Sequence, residues 1–247
     1  ISLIVSLLLL MAVFIPGLGI TVGGARRWIN LGITTVQPTE IFKLAGVLWL
    51  ADIFSKAASI RYLLAIDFLA IVVLAILQRD FGSMSVFVLI SFGMFLISGG
   101  SWWKLLLILG MGGISAAALI LTSSYRVNRV LAFINPLSDP QGYSYHIFQI
   151  LIALGSGGLM GLGLGQSRQK YNIPEVTTDS IFAIIGEEAG FLGTIVVVSA
   201  FMFLIYRGFK IASRCVDKFG QFLAAGLTCW LGIQAAVNIA SVVALIP

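Results

Sequence analysis

Long apolar segments separated by short polar loops dominate the hydrophobicity pattern of this chain. They fall near residues 1–20, 38–54, 62–77, 83–99, 103–122, 190–206 and 221–245. Apolar residues run continuously within each segment instead of alternating with polar ones, which favours helices over strands. About 20 apolar residues in a helix cross the hydrocarbon core of a bilayer, where the backbone must satisfy its own hydrogen bonds. The pattern therefore predicts an all-α fold, a polytopic integral membrane helix bundle.

One long stretch, residues 123–180, departs from this pattern because it mixes polar, glycine and proline residues among shorter apolar runs. Within it, residues 145–154 (YHIFQILIAL) are apolar but too few to span a membrane, so we expect an interfacial or re-entrant helix there. We find no internal repeat and no separate soluble domain. We therefore predict one transmembrane domain over 1–247, with 123–180 as a long extracytoplasmic loop inside it.

Composition supports a membrane protein and excludes several other classes. Of the 247 residues, 59% are hydrophobic and 10% are charged, whereas soluble proteins carry about 25% charged residues. The net charge of +5 arises from basic residues in short loops, so it is a topology signal and no sign of nucleic-acid binding. The two cysteines, Cys215 and Cys229, lie in unlike surroundings and suggest neither a metal site nor a disulfide.

The basic residues also predict how the chain crosses the membrane. The loop 207–218 is rich in Lys and Arg, which marks it as cytoplasmic, and the loop 55–61 lies an even number of spans away on the same side. The segments placed outside are then 21–37, 78–82 and 123–189. Of the 15 basic residues, seven fall outside, seven fall inside, and Lys43 lies within a span. Positive charge placed outside, against the usual bias, suggests that it holds an anion.

Ionisable residues at the outer ends of the predicted spans are the most informative group. Such residues are costly in a membrane and usually face a water-filled cavity, where they pair with one another. The residues mapped to the outer half are Glu40, Lys43, Asp80, Asp179, Glu187 and Glu188, with Arg27 adjacent to them. Their clustering predicts a polar cavity open to the outside. The alternative is a set of helix caps and packing ion pairs, since Asp179 could cap a helix N-terminus.

Seven short strings spread along the chain carry a family resemblance. They are residues 24–29 (GARRWI), 37–44 (QPTEIFKL), 80–82 (DFG), 129–136 (RVLAFINP), 152–158 (IALGSGG), 163–170 (GLGQSRQK) and 181–188 (IFAIIGEE). In this order they resemble the SEDS family (shape, elongation, division and sporulation), which includes FtsW and RodA, and 163–170 is closer to the FtsW branch. The resemblance implies a fold of ten transmembrane helices, of which this sequence lacks the first two and the last.

The resemblance also implies a function. Members of the family are peptidoglycan glycosyltransferases that polymerise lipid II into glycan strands at the outer face of the bacterial cytoplasmic membrane, in cell division or cell-shape maintenance. They pair with a class B penicillin-binding protein, which crosslinks the glycan, and with other divisome or elongasome membrane proteins. The aspartate of the family's activity motif falls on Asp179, the expected catalytic residue. The expected substrate-binding residues are Arg27, Glu40, Lys43, Asp80, Glu175 and Glu187.

Three positions depart from the family pattern that the resemblance implies. Thr177 stands where the family has His, Ser180 where Phe is usual, and Arg79 where Pro is common before Asp80. The motif residue Asp179 is retained, so the resemblance still implies catalysis. The departures indicate a divergent branch with altered cavity geometry.

The expected reaction joins a sugar hydroxyl to an anomeric carbon and releases a lipid diphosphate. We hypothesise that Asp179 acts as the general base for the hydroxyl, while Arg27 and Lys43 stabilise the diphosphate. A divalent cation such as Mg²⁺ could assist, but the residues identify no cofactor and no protein-held metal site. Two other functions stay open: a flippase or transporter of a lipid-linked precursor, and a non-catalytic division scaffold. Transport would need polar groups along the full membrane depth, so their concentration in the outer half favours the enzyme.

Overall fold

The computed structural model describes residues 1–22, 25–30, 32, 34–56, 59–106, 109–110, 127–128, 131, 133, 135, 139, 142, 144–171, 173 and 180–246. The chain divides into two units. The first comprises Ile1–Trp102 with Ile205–Ile233, and the second comprises Trp103–Leu204 with Gln234–Pro247. The prediction of a single transmembrane domain with an extracytoplasmic loop over 123–180 stays a prediction.

Helices make up most of the first unit. They are α1 (Ser2–Ala12), α2 (Pro38–Lys56), α3 (Ile60–Ala70), which continues as a π-helix over Ile71–Leu77, and α4 (Phe81–Ile97). Helix α2 packs on α4, where the rings of Phe42 and Phe87 lie 5.0 Å apart. A Cβ on Gly46 would lie 2.4 Å from the Phe87 ring, so the glycine allows this close approach. Proline suits the first turn of α2, because the N–H that it lacks would have no partner in the helix.

A small antiparallel sheet follows α1. Its strands lie in the order β1 (Gly19–Val22), β2 (Ala25–Asn30) and β3 (Thr35–Val36). The hydrophobicity pattern did not predict these strands, and it placed one apolar segment over 1–20, which was wrong because α1 ends at Ala12. Helix α1 is followed by a turn that holds Pro16 and then Gly17 with a φ of +91°. A helix does not continue through this pair of residues.

The second unit is built around a short helix and the first part of a long one. Its elements are α5 (Tyr145–Gly157), a 3₁₀ turn over Gln169–Tyr171, and the longer helices α6 (Ile181–Arg214) and α7 (Lys218–Val242), which also reach into the first unit. Ile150, Ile173 and Phe182 form an apolar core with Val242. Helix α5 has 13 residues, and its length of roughly 20 Å is too short to span a bilayer. This agrees with the interfacial or re-entrant helix expected there.

Helix α6 is interrupted at Gly190, whose φ of 68° and ψ of −166° are not helical. The loop after α5 satisfies the backbone groups that the interruption frees. Leu162 and Gly163 donate their N–H groups to the carbonyls of Glu187 and Glu188, at 2.9 and 3.0 Å. In return, the N–H groups of residues 191 and 192 donate to the carbonyls of 158 and 159, at 2.9 and 3.2 Å. Irregular backbone is tolerated in membrane helices where neighbouring segments satisfy it in this way.

Three helical segments are long and apolar enough to cross a membrane: Ile60–Leu77, Ile181–Arg214 and Lys218–Val242. Shorter apolar helices include Ser2–Ala12, Phe81–Ile97 and Tyr145–Gly157. The mean hydropathy of the chain is +1.06, and many large apolar side chains on these helices are exposed, as expected for surfaces that face lipid. The predicted all-α, polytopic membrane fold is therefore confirmed for the bulk of the chain.

Candidate functional site

Asp80 is the centre of a polar cluster in the first unit. It lies between the π-helix and α4 and is 4% exposed. One oxygen of its carboxylate accepts a 3.1 Å hydrogen bond from the Ser83 N–H and so caps α4, while the other accepts from the Gln37 side-chain amide at 3.4 Å. A carboxylate at a helix N-terminus is also stabilised by the helix dipole. Asp80 therefore caps helix α4, as the alternative of helix caps and ion pairs expects, and it is also part of a larger polar cluster.

Arg27 reaches the same cluster from strand β2. Its Nη1 lies 3.9 Å from the Asp80 carboxylate, and its Nη2 donates to the backbone carbonyl of Arg79 at 2.8 Å. Its Nε is buried and finds no hydrogen-bond partner among the described residues. About a third of the side chain is exposed. Arg27 therefore retains donors that an anion could use, because a guanidinium presents five N–H groups.

Lys43 is almost entirely buried in α2, with 1% of its surface exposed. Its ammonium lies 2.8 Å from the Glu40 carboxylate, and the i, i+3 spacing of the two residues places them on one face of the helix. It also lies 5.4 Å from the ring centre of Trp230 in α7, where a cation–π interaction forms. The Glu40 side chain is 41% exposed. The pair therefore connects a buried cation to an accessible carboxylate.

Sequence reasoning missed two residues of this cluster, Trp230 and Gln78. Trp230 lies far from Lys43 along the chain, and no local spacing could have joined them. Gln78 is 1% exposed; it donates to the Leu10 carbonyl at 3.1 Å and accepts from the Thr39 hydroxyl at 3.4 Å. It therefore ties the end of the π-helix to α1 and α2. In the sequence, the one signal that could have identified Gln78 was its position directly before Arg79 and Asp80.

The backbone around Arg79 explains how these groups meet. The π-helix ends with the Gln78 N–H bonded to Val73 O and the Asp80 N–H bonded to Leu74 O. Arg79 between them has a φ of 55°, in the left-handed region that a non-glycine residue rarely adopts. Proline is restricted to a φ near −65°, so it does not fit this backbone. The departure from the family's proline at this position is therefore consistent with the local conformation.

Glu187 forms a separate cluster in the second unit. It is 1% exposed, and its carboxylate accepts hydrogen bonds from the Ser167 hydroxyl at 2.5 Å, the Arg168 N–H at 3.0 Å and the Gln169 N–H at 3.3 Å. Glu188 accepts from the Ser167 N–H at 3.3 Å. These contacts fasten the turn that precedes Tyr171 to α6. The predicted contact of Glu187 with substrate stays a prediction, and the interactions that the structure shows for it are with the chain itself.

The expected catalytic residue Asp179 lies outside the described residues, as do Glu175 and Thr177. Their assignments stay predictions. The residue directly after Asp179, Ser180, is fully buried, and its hydroxyl lies 3.2 Å from Nε2 of His146 in α5. Sequence reasoning assigned no role to His146, since no carboxylate stands at helical spacing from it.

The described residues hold no group of three or more His, Cys, Asp or Glu side chains that could bind a metal ion. In the first unit, two cations and two carboxylates form the ion pairs Arg27–Asp80 and Lys43–Glu40. The cluster is therefore close to neutral, and its cations already have partners that hold them in place.

Comparisons with known proteins agree with the motifs. A family model that covers FtsW, RodA and SpoVE, described as a cell cycle protein, matches residues 1–247. The chain is 38% identical over 249 residues to the "Probable peptidoglycan glycosyltransferase FtsW" of Nitrosococcus halophilus, covering 97% of this chain and 64% of the relative. The corresponding protein of Trichlorobacter lovleyi is 40% identical over 256 residues, with 99% and 66% covered. The chain thus spans just under two thirds of the length of these two curated relatives.

A further relative and two solved structures extend the comparison. Stage V sporulation protein E of Bacillus subtilis is 38% identical over 255 residues, covering 99% of this chain and 69% of the relative. A peptidoglycan synthase complex that coordinates polymerization and crosslinking contains a chain with the same fold, with a TM-score of 0.80, 24% identity, and 100% and 70% of the two chains covered. The rod shape determining protein RodA of Thermus thermophilus matches with a TM-score of 0.63, 26% identity, and 97% and 64% covered.

Proposed function

Because this chain belongs to the FtsW, RodA and SpoVE family of cell cycle proteins, matched over residues 1–247, we propose that it is part of a peptidoglycan glycosyltransferase. The reaction is the polymerisation of lipid II, a lipid-linked disaccharide-peptide, into glycan strands at the outer face of the bacterial cytoplasmic membrane. The observation that carries the proposal is the cluster of the buried Lys43 and Asp80 with the partly exposed Arg27, in a chain 38% and 40% identical to proteins named as such enzymes.

The chemistry of glycosyl transfer accounts for the charges of this cluster. A bond forms between the acceptor hydroxyl oxygen and the donor anomeric carbon, and the bond from that carbon to the diphosphate oxygen breaks. We assign Asp179 as the general base that takes the hydroxyl proton, and Arg27 and Lys43 as the groups that stabilise the departing diphosphate. Asp80 and Glu40 hold these cations by ion pairs. Glu175 and Glu187 complete the proposed substrate-binding set.

The proposal includes the setting in which the enzyme works. The family resemblance supports a crosslinking partner, a class B penicillin-binding protein, together with other division or elongation proteins. The solved synthase complex shares the fold, which makes this chain compatible with such an assembly. The relatives named FtsW, at 38% and 40% identity, and the FtsW-like string at 163–170 support a division role.

Transport of a lipid-linked precursor is a second candidate, because one polar pair lies at a different depth from the cluster. Asp67 in α3 is 5% exposed and accepts a 2.6 Å hydrogen bond from the Ser91 hydroxyl in α4. Asp67 precedes Asp80 by 13 positions, roughly 20 Å along a helix axis. A translocation route needs polar groups at such depths. Glycan formation without transbilayer movement of fluorescent lipid II in vesicles would reject the transport function.

Polymerisation of purified lipid II by the full-length protein with its partner tests the enzyme. We expect Asp179→Ala to lower the rate by about 100-fold or more, the range found for loss of a general base. Asp52→Asn is a matched control, because Asp52 is an exposed aspartate paired with Lys56, and it should polymerise like the wild type. Unchanged polymerisation by Asp179→Ala would refute the catalytic assignment.

A further inference from the structure

The buried carboxylate of Glu187 has a role beyond the contacts with substrate assigned to it above. We propose that Glu187 is a positioning residue: it fastens the turn around residues 167–171 to helix α6 and so sets the start of the connection that carries Asp179. The inference rests on the proposed function for its link to catalysis. The attachment of the turn itself is independent of any substrate.

The first support is how completely the chain itself uses this carboxylate. Both oxygens of Glu187 accept hydrogen bonds, from the Ser167 hydroxyl and the N–H groups of Arg168 and Gln169. We call these four residues the Glu187 clamp. A carboxylate has about four acceptor positions, and three donors occupy them here. With 1% of its surface exposed, Glu187 is held mainly by donors of the chain itself.

The second support is the charge of this buried group. Within the described part of the chain, Glu187 forms no ion pair with Lys or Arg. Its negative charge is instead balanced by two backbone N–H groups at the start of the 3₁₀ turn and by a hydroxyl. A buried charge without such partners is strongly disfavoured. The turn and Glu187 therefore depend on each other, because movement of either one breaks the hydrogen bonds that balance the buried carboxylate.

The third support is that the same part of α6 also holds the preceding loop through the backbone. The carbonyls of Glu187 and Glu188 accept the N–H groups of Leu162 and Gly163. A Cβ on Gly161 would lie 2.1 Å from the Glu188 carbonyl oxygen, so the loop approaches as closely as a glycine permits. Side-chain and backbone bonds from two adjacent residues thus fasten the chain from 161 to 169 to one point of α6.

The far end of the connection is anchored as well. Ile173 is 5% exposed in the apolar core of the second unit, and its N–H bonds to the Gln169 carbonyl at 3.0 Å. Ser180 is buried against His146. Residues 174–179 join these two anchors, and Asp179 is bonded directly to the second. In general, a short segment with both ends fixed has fewer accessible conformations than one with a free end. Glu187 holds the turn before the first of these anchors, because Gln169 donates its N–H to Glu187 and accepts the Ile173 N–H.

Trypsin provides a test that needs no substrate, because Arg168 and Lys170 lie in the clamped turn. We compare the wild-type full-length protein, purified in detergent, with the variant Glu187→Gln. Glutamine keeps the shape of the side chain, but its amide NH₂ replaces one of the accepting oxygens and faces donors with which it cannot form hydrogen bonds. Cleavage after residues 168 and 170, identified by mass spectrometry, should accelerate by about tenfold or more when the clamp is lost. Asp217→Asn is the matched control, since Asp217 also accepts a backbone N–H, from Gly220, but at an exposed position.

A gentler pair of variants covers the case in which Glu187→Gln folds poorly. Ser167→Ala removes the hydroxyl that donates to Glu187, and Ser167→Thr keeps a hydroxyl at the same place. Ser167→Ala should accelerate cleavage and lower kcat for lipid II polymerisation with KM unchanged, and Ser167→Thr should restore both. A purely stabilising role would lower the amount of folded enzyme. At equal concentrations of folded protein, the kcat of Ser167→Ala would then equal that of the wild type.

The outcomes separate this inference from the proposed function. Unchanged cleavage in both Glu187→Gln and Ser167→Ala overturns the clamp, whatever the polymerisation rate. Suppose that Asp179→Ala inactivates the enzyme, while Glu187→Gln and Ser167→Ala are cleaved faster and still polymerise lipid II at the full rate. That result overturns the positioning role and leaves the proposed function standing. Faster cleavage together with a reduced kcat supports the inference. If Asp179→Ala is fully active, the catalytic assignment fails, while the cleavage rates still decide whether the clamp exists.

Discussion

The interruption of α6 at Gly190 makes a strong prediction, because only glycine fits there. The backbone angles of φ 68° and ψ −166° are accessible to glycine alone. A Cβ at this position would lie 2.3 Å from the Gly161 nitrogen and 2.6 Å from the Leu159 carbonyl oxygen. Both are backbone atoms, so Gly190→Ala cannot be accommodated by rotating a side chain. The loop after α5 must move away from the helix.

The cost of Gly190→Ala follows from these contacts. The strained backbone accounts for about 1–3 kcal/mol. Moving the loop also breaks the hydrogen bonds from Phe191 to the Gly158 carbonyl and from Leu192 to the Leu159 carbonyl, worth about 1 kcal/mol each. We therefore expect a loss of about 3–5 kcal/mol in the free energy of unfolding. This is a large part of the 5–15 kcal/mol or so that stabilises a typical protein.

The assay is the thermal midpoint of the detergent-purified protein, read as the loss of its monodisperse peak on size exclusion after heating. A change of this size should lower the midpoint by on the order of 10 °C in a protein of this length. Gly155→Ala is the matched control: it lies inside α5, nothing lies within 4 Å of its added Cβ, and alanine favours a helix by up to about 1 kcal/mol. Equal midpoints for Gly190→Ala and the wild type would refute the interrupted helix.

Two further predictions concern the cluster in the first unit. Arg79→Pro should destabilise the protein by about 2 kcal/mol or more, because its φ of 55° excludes proline, whereas Arg79→Gly should stabilise it by about 1 kcal/mol; equal effects on the thermal midpoint would contradict the left-handed backbone. Trp230→Leu removes the ring that faces the buried Lys43 ammonium and should cost about 2 kcal/mol. A double-mutant cycle with Lys43→Met measures their coupling, and strictly additive losses would show that the two side chains do not interact.

Much of the fold could be predicted from the sequence because the membrane restricts the options. Continuous apolar runs in lipid must be helices, so the all-α class and the main spans follow from hydropathy. The pairing of Glu40 with Lys43 follows from helical spacing. The short helix α5 follows from its length. Each of these features depends on residues close together in the chain, which is why local patterns reveal them.

The features that sequence reasoning missed depend on contacts between distant segments. The strand β1 begins at Gly19, inside the run over 1–20 that hydropathy assigned to one span, and it pairs with Ala25–Asn30, which the local pattern does not show. The interruption at Gly190 looks like one more glycine in an apolar helix until the loop that completes its hydrogen bonds is present. The buried Lys43 has an aromatic partner, Trp230, that no spacing indicated.

The sequence by itself determined that this is a membrane helix bundle and which family it resembles. It also indicated which ionisable residues are candidates for the chemistry, because the cost of placing charge in lipid makes each such residue informative. The tertiary structure alone decided which partners hold those of them that it describes. It made Asp80 the partner of Arg27 and the cap of α4, and it enclosed Glu187 among donors from the chain itself. Burial and hydrogen-bond geometry are properties of packed segments. The same residue type can therefore contact a ligand or hold two parts of the chain together, depending on what packs around it.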